Sequence, residues 1–165
     1  MRIRKTKIND IDRVLEIYEN GRQYMRQNGN LEQWNNNYPS KEVVDEDISN
    51  GWSYVVIDED TNEIIGVFAY LPGPDITYRK IYEGKWPNDK DYYVIHRIAV
   101  AVHRRGVASF IYDFCLNKSE VIRIDTHRDN IPMQNSLKKN GFSYCGIIHL
   151  LNGDERLAYQ KERCL

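Results

Sequence analysis

Residues 94–108 read VIHRIAVAVHRRGVA. An apolar run ends in the basic triplet His103-Arg104-Arg105, Gly106 and Ala108 punctuate the turn, and a helical apolar pattern follows. A helix start leaves its first N–H groups without intrahelical acceptors, and small residues let an anion approach them closely. The stretch therefore predicts a strand, an anion-cradling turn and a helix, with a phosphorylated cofactor as the ligand of the turn.

Upstream, residues 2–6 alternate briefly and give way at Asn9-Asp10, a helix cap, to Ile11, Val14, Leu15 and Tyr18 at helical spacing. Gly29 breaks that helix, and an Asn-rich loop carrying Trp34 and Tyr38 runs to Pro39-Ser40. Ser40 caps a second helix with Val43, Val44 and Ile48. SYVVID and EIIGVFAYL form a hairpin across Asp60-Thr61-Asn62, ended by Pro72-Gly73-Pro74. Residues 75–91 hold aromatics without a period and read as a long loop with a short helix, a segment type that tends to be functional.

Downstream of the opening stretch, the helix from Gly106 runs to about Asn117, and VIRIDT follows as a buried strand. A further helix starts at Asn130-Ile131-Pro132 and ends at Asn140-Gly141, with Pro132 tolerated in the first turn and Gly141 a left-handed cap. FSYCGIIHLL and ERLAYQKE flank the hairpin turn Asn152-Gly153-Asp154. The element order is β-α-α-β-β-β-α-β-α-β-β. It predicts an α/β (α+β) chain with a mixed central sheet of about six to seven strands and about four flanking helices.

A length of 165 residues suits one domain, 1–165, rather than two. The formal net charge is −1 with both signs scattered, so no global field points to nucleic acid or an acidic membrane, and any anion site is local. Cys115, Cys145 and Cys164 are odd in number and lack CxxC spacing, which disfavours a disulfide framework and a metal site. Cys115 sits in an apolar helical run and reads as core. No apolar stretch reaches membrane-span length and the N-terminus lacks a signal-peptide core, so a cytoplasmic protein is expected. Neither G-x-x-x-x-G-K-[ST] nor G-x-G-x-x-G occurs, which removes the main support for kinase and dehydrogenase readings.

His103-x-x-Gly106-x-Ala108 resembles the [Q/R]-x-x-G-x-[G/A] signature of the GNAT acetyltransferases, with His103 standing where Gln or Arg is usual. A second segment, Asp125-Thr126-His127-Arg128-Asp129-Asn130 with Gly141-Phe142 beyond it, is similar to the family's next signature. The element order is also that of the GNAT fold. Asn28-Gly29-Asn30, Gln33-Trp34, Tyr38-Pro39-Ser40 and Gly73-Pro74-Asp75 resemble segments of one bacterial branch of the family. The resemblance implies an acyl-CoA N-acyltransferase fold and acetyl-CoA as co-substrate, with no metal. Its pantetheine arm is expected along Ile98, Ala99 and Val100, and its diphosphate on His103, Arg104, Arg105, Gly106, Val107 and Ala108. Asn130 is expected to cap its helix and face the pantetheine arm, and Trp34 to line the acceptor side.

Acetyl transfer needs a free amine, so a base is useful near neutral pH. His96 is the first candidate: strand alternation places it two residues before Ile98, on the face of Ile98 and Val100. His127 and Asp125 are weaker candidates. Leu137 occupies the position where many family members carry the Tyr that protonates the leaving thiolate, and Tyr144 or one of the tyrosines near Tyr92 is the expected substitute. The leading function is transfer of an acetyl group to a primary amine of a small molecule or protein. The alternative is a non-catalytic acyl-CoA-binding or sensing module. The acidic run Asp45-Glu46-Asp47 reads as a solvated helix face or an attractor of a cationic amine. Exposed edge strands near the C-terminus offer a route to a homodimer.

Overall fold

A computed structural model of the chain describes residues 1–103 and 105–164. The alternating segments become β1 (Arg2–Lys5), β2 (Ser53–Asp58), β3 (Glu63–Pro72), β4 (Tyr93–Val100), β5 (Val121–Thr126), β6 (Ser143–His149) and β7 (Glu155–Glu162). They form one mixed sheet in the order β1-β2-β3-β4-β5-β7-β6. Only β4 and β5 pair in parallel. The connection between them is α3 (Val107–Lys118), as a parallel crossover demands.

The other helices are α1 (Ile11–Gln27), α2 (Lys41–Ser49) and α4 (Ile131–Lys139). Asp10 organises the start of α1: its carboxylate accepts from the Lys7 N–H at 2.7 Å and from Arg4 Nη1 at 2.7 Å. Ser40 Oγ caps α2 by accepting from Val43 N, and Asn130 Oδ1 caps α4 by accepting from Met133 N. α1 and α2 cover one face of the sheet through Val14, Ile17, Tyr18 and Val44, packed on Val55, Ile57 and Val67. α3 and α4 cover the other through Ile111, Tyr112, Cys115 and Leu137, packed on Val56, Phe68, Ile95, Ile122 and Ile124. Each fully buried aliphatic side chain contributes roughly 1.5–3 kcal/mol to the fold. Residues 75–91 contain a 3-10 turn, Ile76–Tyr78, and lie over the third cluster through Tyr78 and Trp86.

The sheet opens between its two parallel strands. β4 and β5 pair only at Tyr93 with Ile122 and Val94 with Arg123. Beyond that point β4 follows β3 to Val100, and β5 follows β7 to Thr126. A bulge in β4 accompanies the opening: His96 lies opposite Ala69 and Ala99 opposite Val67, so Arg97 and Ile98 together face one residue of β3. Arg97 takes φ 51°, a left-handed conformation that costs a non-glycine residue about 1–3 kcal/mol.

Surrounding contacts hold that conformation. The Tyr18 hydroxyl donates to Arg97 O at 2.8 Å, and the Arg97 guanidinium donates to both Asp47 carboxylate oxygens at 2.8 and 2.7 Å and to the Tyr38 hydroxyl at 3.1 Å. Asp47 is 3 % exposed, so one member of the acidic run of α2 is the buried counter-ion of Arg97 rather than a solvated charge.

The bulge also corrects the expectation that His96, Ile98 and Val100 share a face. Before it, Val94 packs with the cluster around Tyr78 while Ile95 packs against α3. After it, Ile98 and Val100 pack toward the α3 side and Ala99 toward α1. One extra residue inverts the alternation, so His96 projects from the opposite face to Ile98 and Val100.

Candidate functional site

Two connected cavities occupy the opening between β4 and β5. The first, about 370 Å³, is lined by Ile98, Ala99, Val100, His103, Gly106, Val107, Ala108 and Asn130, eight of the residues that the sequence pattern assigns to a cofactor. The Ala101 N–H donates to Ile65 O on β3. Backbone alternation therefore turns residues 99 and 101 toward β3 and leaves the N–H groups of Ile98 and Val100 facing the opening.

At the far end, Gly106 adopts φ 73° and α3 begins. The Phe110 N–H donates to Gly106 O, and the preceding N–H groups, those of Val107, Ala108 and Ser109, have no intrahelical acceptor. A Cβ placed on Gly106 would meet no protein atom within 4 Å. The turn is thus a set of convergent donors with room before it, suited to an anion.

The charged side chains depart from expectation. Arg105 donates from Nη1 to the Asp58 carboxylate at 3.0 Å and does not line the cavity, so it is engaged elsewhere. Arg104 lies outside the described residues. The His103 ring stacks on Tyr24 with centroids 3.8 Å apart, and burial lowers its pKa, which keeps the imidazole neutral near pH 7. His103 thus lines the cavity as a stacked ring rather than as a fixed positive charge. Lys139, at the end of α4, lines the same cavity.

Asn130 caps α4, and its Nδ2 donates to Gln33 Oε1 at 2.9 Å. Gln33 Oε1 also accepts from Asn30 Nδ2 at 3.0 Å. This amide ties the loop between α1 and α2 to the end of β5. Next to it, Trp34 is 8 % exposed and lines both cavities. Its ring meets Tyr18 edge-on at 5.6 Å and lies against α1 at Gly21, where a Cβ would come within 3.1 Å of the indole.

The second cavity, about 750 Å³, lies under this loop and the turn between β6 and β7. Both volumes fall in the range of small-molecule sites. His96 lines it, with Nε2 3.0 Å from Asp75 Oδ2. Burial would raise the Asp75 carboxyl pKa, but hydrogen bonds from His96 and from Thr77 Oγ1 and N outweigh it and lower it to about 2. An ionised Asp75 can only accept, so Nε2 carries the proton and Nδ1 is left as the basic nitrogen. Asp125 lines the same cavity and accepts from the buried Tyr78 hydroxyl at 2.6 Å, a contact that joins burial in raising the Tyr78 pKa.

Two sequence candidates, Tyr144 and His127, are not brought to the site, and the position of the usual acid holds no donor. Tyr144 is 53 % exposed at the start of β6, packs on Tyr159 and lines neither cavity, which corrects its assignment as the acid. Leu137 is fully buried in the core, so its position offers no proton donor. His127 accepts the Asp129 N–H at Nδ1 and lies outside both linings. The residues that sequence reasoning missed are the supports: Gln33 as a clamp, Tyr38 and Asp47 around Arg97, and Asp75 behind His96. Gln33, Tyr38 and Asp75 lie in the segments Gln33-Trp34, Tyr38-Pro39-Ser40 and Gly73-Pro74-Asp75 and Asp47 in the acidic run, signals that marked the positions without giving their roles.

Among the described residues no cluster of His, Cys, Asp or Glu is arranged to hold a metal, and no helix is long and apolar enough to cross a membrane. The chain resembles the crystal structure of a GNAT-family acetyltransferase from Streptococcus agalactiae 2603, with a TM-score of 0.90 and 33% identity over 99% of this chain and 96% of that one. A proposed acetyltransferase from Staphylococcus aureus Mu50 has a TM-score of 0.72 and 25% identity, covering 99% of this chain and 100% of that one. A GNAT-family acetyltransferase from Listeria monocytogenes 4b F2365 shares the fold, with a TM-score of 0.71 and 18% identity over 98% and 94% of the two chains. No protein-family model matches the chain, and no curated protein sequence does.

Proposed function

Because the chain belongs to the GNAT family of acetyltransferases, we propose that it moves the acetyl group of acetyl-CoA to a primary amine in the cleft between β4 and β5. The observation that carries this reading is the opening of the sheet, with N–H groups of Ile98 and Val100 unpaired on one wall and the start of α3 at its end. The donor fits there by its chemistry: an amide-bearing arm matches an exposed strand edge, and a diphosphate matches the N–H groups after Gly106, with Lys139 adding a positive charge. Acetyl-CoA supplies an activated thioester.

The protein's own groups supply the rest. An N–H of Ile98 or Val100 is positioned to stabilise negative charge that develops on the acyl oxygen. His96, held by Asp75, takes the proton from the ammonium or amine at Nδ1, directly or through water, and the carboxylate stabilises the imidazolium that results. With Leu137 at that position, the leaving group departs as a thiolate that water protonates, which its pKa near 8.5 permits. A cytoplasmic site of action belongs to this reading, and the three free cysteines agree with it.

The apolar Leu137 favours a second reading, an acyl-CoA-binding module without turnover. One experiment separates them: calorimetric titration with acetyl-CoA, followed by thiol-release assays over a panel of amines. Binding with amine-dependent release of CoA supports the transferase. Binding without release from any amine supports the module, and absence of binding refutes both.

A further inference from the structure

The second cavity carries one cation whose partner is not found among the described residues. Arg97 in the same cavity is paired with Asp47, and Arg123 behind it is taken up by Gln160, the Asn88 carbonyl and the Trp86 and Tyr92 rings. Arg156 on β7 is only 6 % exposed, yet among the described residues no carboxylate lies within 4 Å of its guanidinium, and Nη1 donates to Glu155 O at 2.9 Å. A guanidinium has five donors in a planar fork, and leaving such a charge buried without an anion is costly.

Its position is set by register. Asp125 pairs with Ala158 across β5 and β7, so Arg156, two residues from Ala158, projects from the face of Asp125. Val94 pairs with Arg123, which places His96 and Asp125 on that face as well. β4, β5 and β7 thus present His96, Asp125 and Arg156 on one face around the second cavity, with the opening between β4 and β5 separating His96 from Asp125. The face is polar in the electrical sense. At one end Asp75 and Asp125 gather negative charge around the proposed base, and at the other stands the unpaired guanidinium.

We propose that the acceptor is an amine bearing a carboxylate, an amino acid or short peptide, whose carboxylate docks on Arg156 while its amine lies at His96 and Asp125. This rests on the acetyl-transfer reading. The guanidinium fork matches a planar carboxylate with two parallel hydrogen bonds. A purely cationic acceptor such as a polyamine meets repulsion at the same point.

The test compares matched probes: L-leucine, L-leucinamide and isoamylamine; 4-aminobutyrate and 4-aminobutanamide; glycylglycine and glycylglycinamide. The wild type is expected to acetylate an acid with kcat/KM roughly tenfold to a hundredfold above its amide, the worth of charge-assisted hydrogen bonds. Arg156→Met removes that preference, and Arg156→Lys restores part of it. Thermal melting with CoA present gives a readout without turnover: the preferred acid raises the melting temperature of the wild type and not of Arg156→Met. Amides or plain amines used as well as acids by the wild type overturn the proposal, as does an Arg156→Met variant that loses acid and amide activity alike. So does a panel in which no acid is acetylated or stabilises the protein. Acetyl-CoA titration runs alongside: if acetyl-CoA fails to bind, the acetyl-transfer reading has failed, whereas binding without carboxylate preference sinks only the assignment of Arg156.

Discussion

Replacing Asp75 by Asn keeps the size and the acceptor oxygen of the side chain and removes its charge. The Asp75 carboxyl pKa lies at about 2 instead of 3.8, because hydrogen bonds from His96 and Thr77 overcome burial. At about 1.36 kcal/mol per pKa unit, the ionised carboxylate contributes about 2 kcal/mol to stability. The sign follows from the depressed pKa. The contribution is fully present above the unfolded-state value, near pH 4, and is lost as pH falls through about 2. Urea unfolding followed by tryptophan fluorescence should therefore show Asp75→Asn less stable than the wild type by about 2 kcal/mol at pH 7, with the gap roughly halved by about pH 3. In the transferase assay the variant should lose about 10- to 100-fold in kcat, because Asn no longer fixes the Nε2–H tautomer of His96 or stabilises the imidazolium. Acetyl-CoA affinity should not move, since Asp75 lines only the second cavity. Equal stability of the two proteins at pH 7, or a gap constant from pH 7 to 3, would refute the reasoning.

Gly106→Glu should cost the fold only about 1–2 kcal/mol of backbone strain at its positive φ while weakening acetyl-CoA binding roughly a hundredfold through like-charge repulsion, measured by calorimetry beside circular dichroism. Unchanged affinity would dismiss the turn as the diphosphate site. Asp47→Ala leaves Arg97 buried without its counter-ion and should destabilise by about 3–5 kcal/mol in chemical denaturation, a loss that the double variant Asp47→Ala/Arg97→Met largely recovers. Tyr144→Phe should leave thiol release at the wild-type rate, because the phenol is exposed and remote from both cavities; a tenfold fall would return it to the mechanism.

The fold was legible where local chemistry decides it. Ser40 and Asn130 cap helices through their own side chains, Asp10 organises the start of α1, and Asn152-Gly153-Asp154 turns a hairpin. Each of these contacts spans a few residues, so spacing alone reveals it. The wall formed by residues 98–100 and the turn around Gly106 were legible for a related reason: what they present to the cavity is backbone N–H groups, which need small or apolar neighbours more than particular side chains. The side chains around them were not. Arg105 turned out to face Asp58, 47 residues away, and His103 to stack on Tyr24 across the fold.

The face of β4 was the part that pattern reading had to get wrong. Alternation assumes an unbroken pleat, and the break at Arg97 is enforced by Asp47 and Tyr18, which lie 50 and 79 positions away in the chain. Without the bulge, His96, Ile98 and Val100 would stand on one face, and the proposed base would share the α3 side with the residues that line the donor cavity. With it, a single strand serves two cavities: His96 projects into the second cavity, which Asp125 also lines, while the backbone of Ile98 and Val100 faces the opening one step further on. A strained arginine and a buried ion pair are expensive features for a sheet centre. Their position at the crossing of the two cavities gives the cost a purpose under the proposed function, because the inverted parity is what would let the proposed base and the proposed acyl-oxygen donors meet from opposite faces of the sheet.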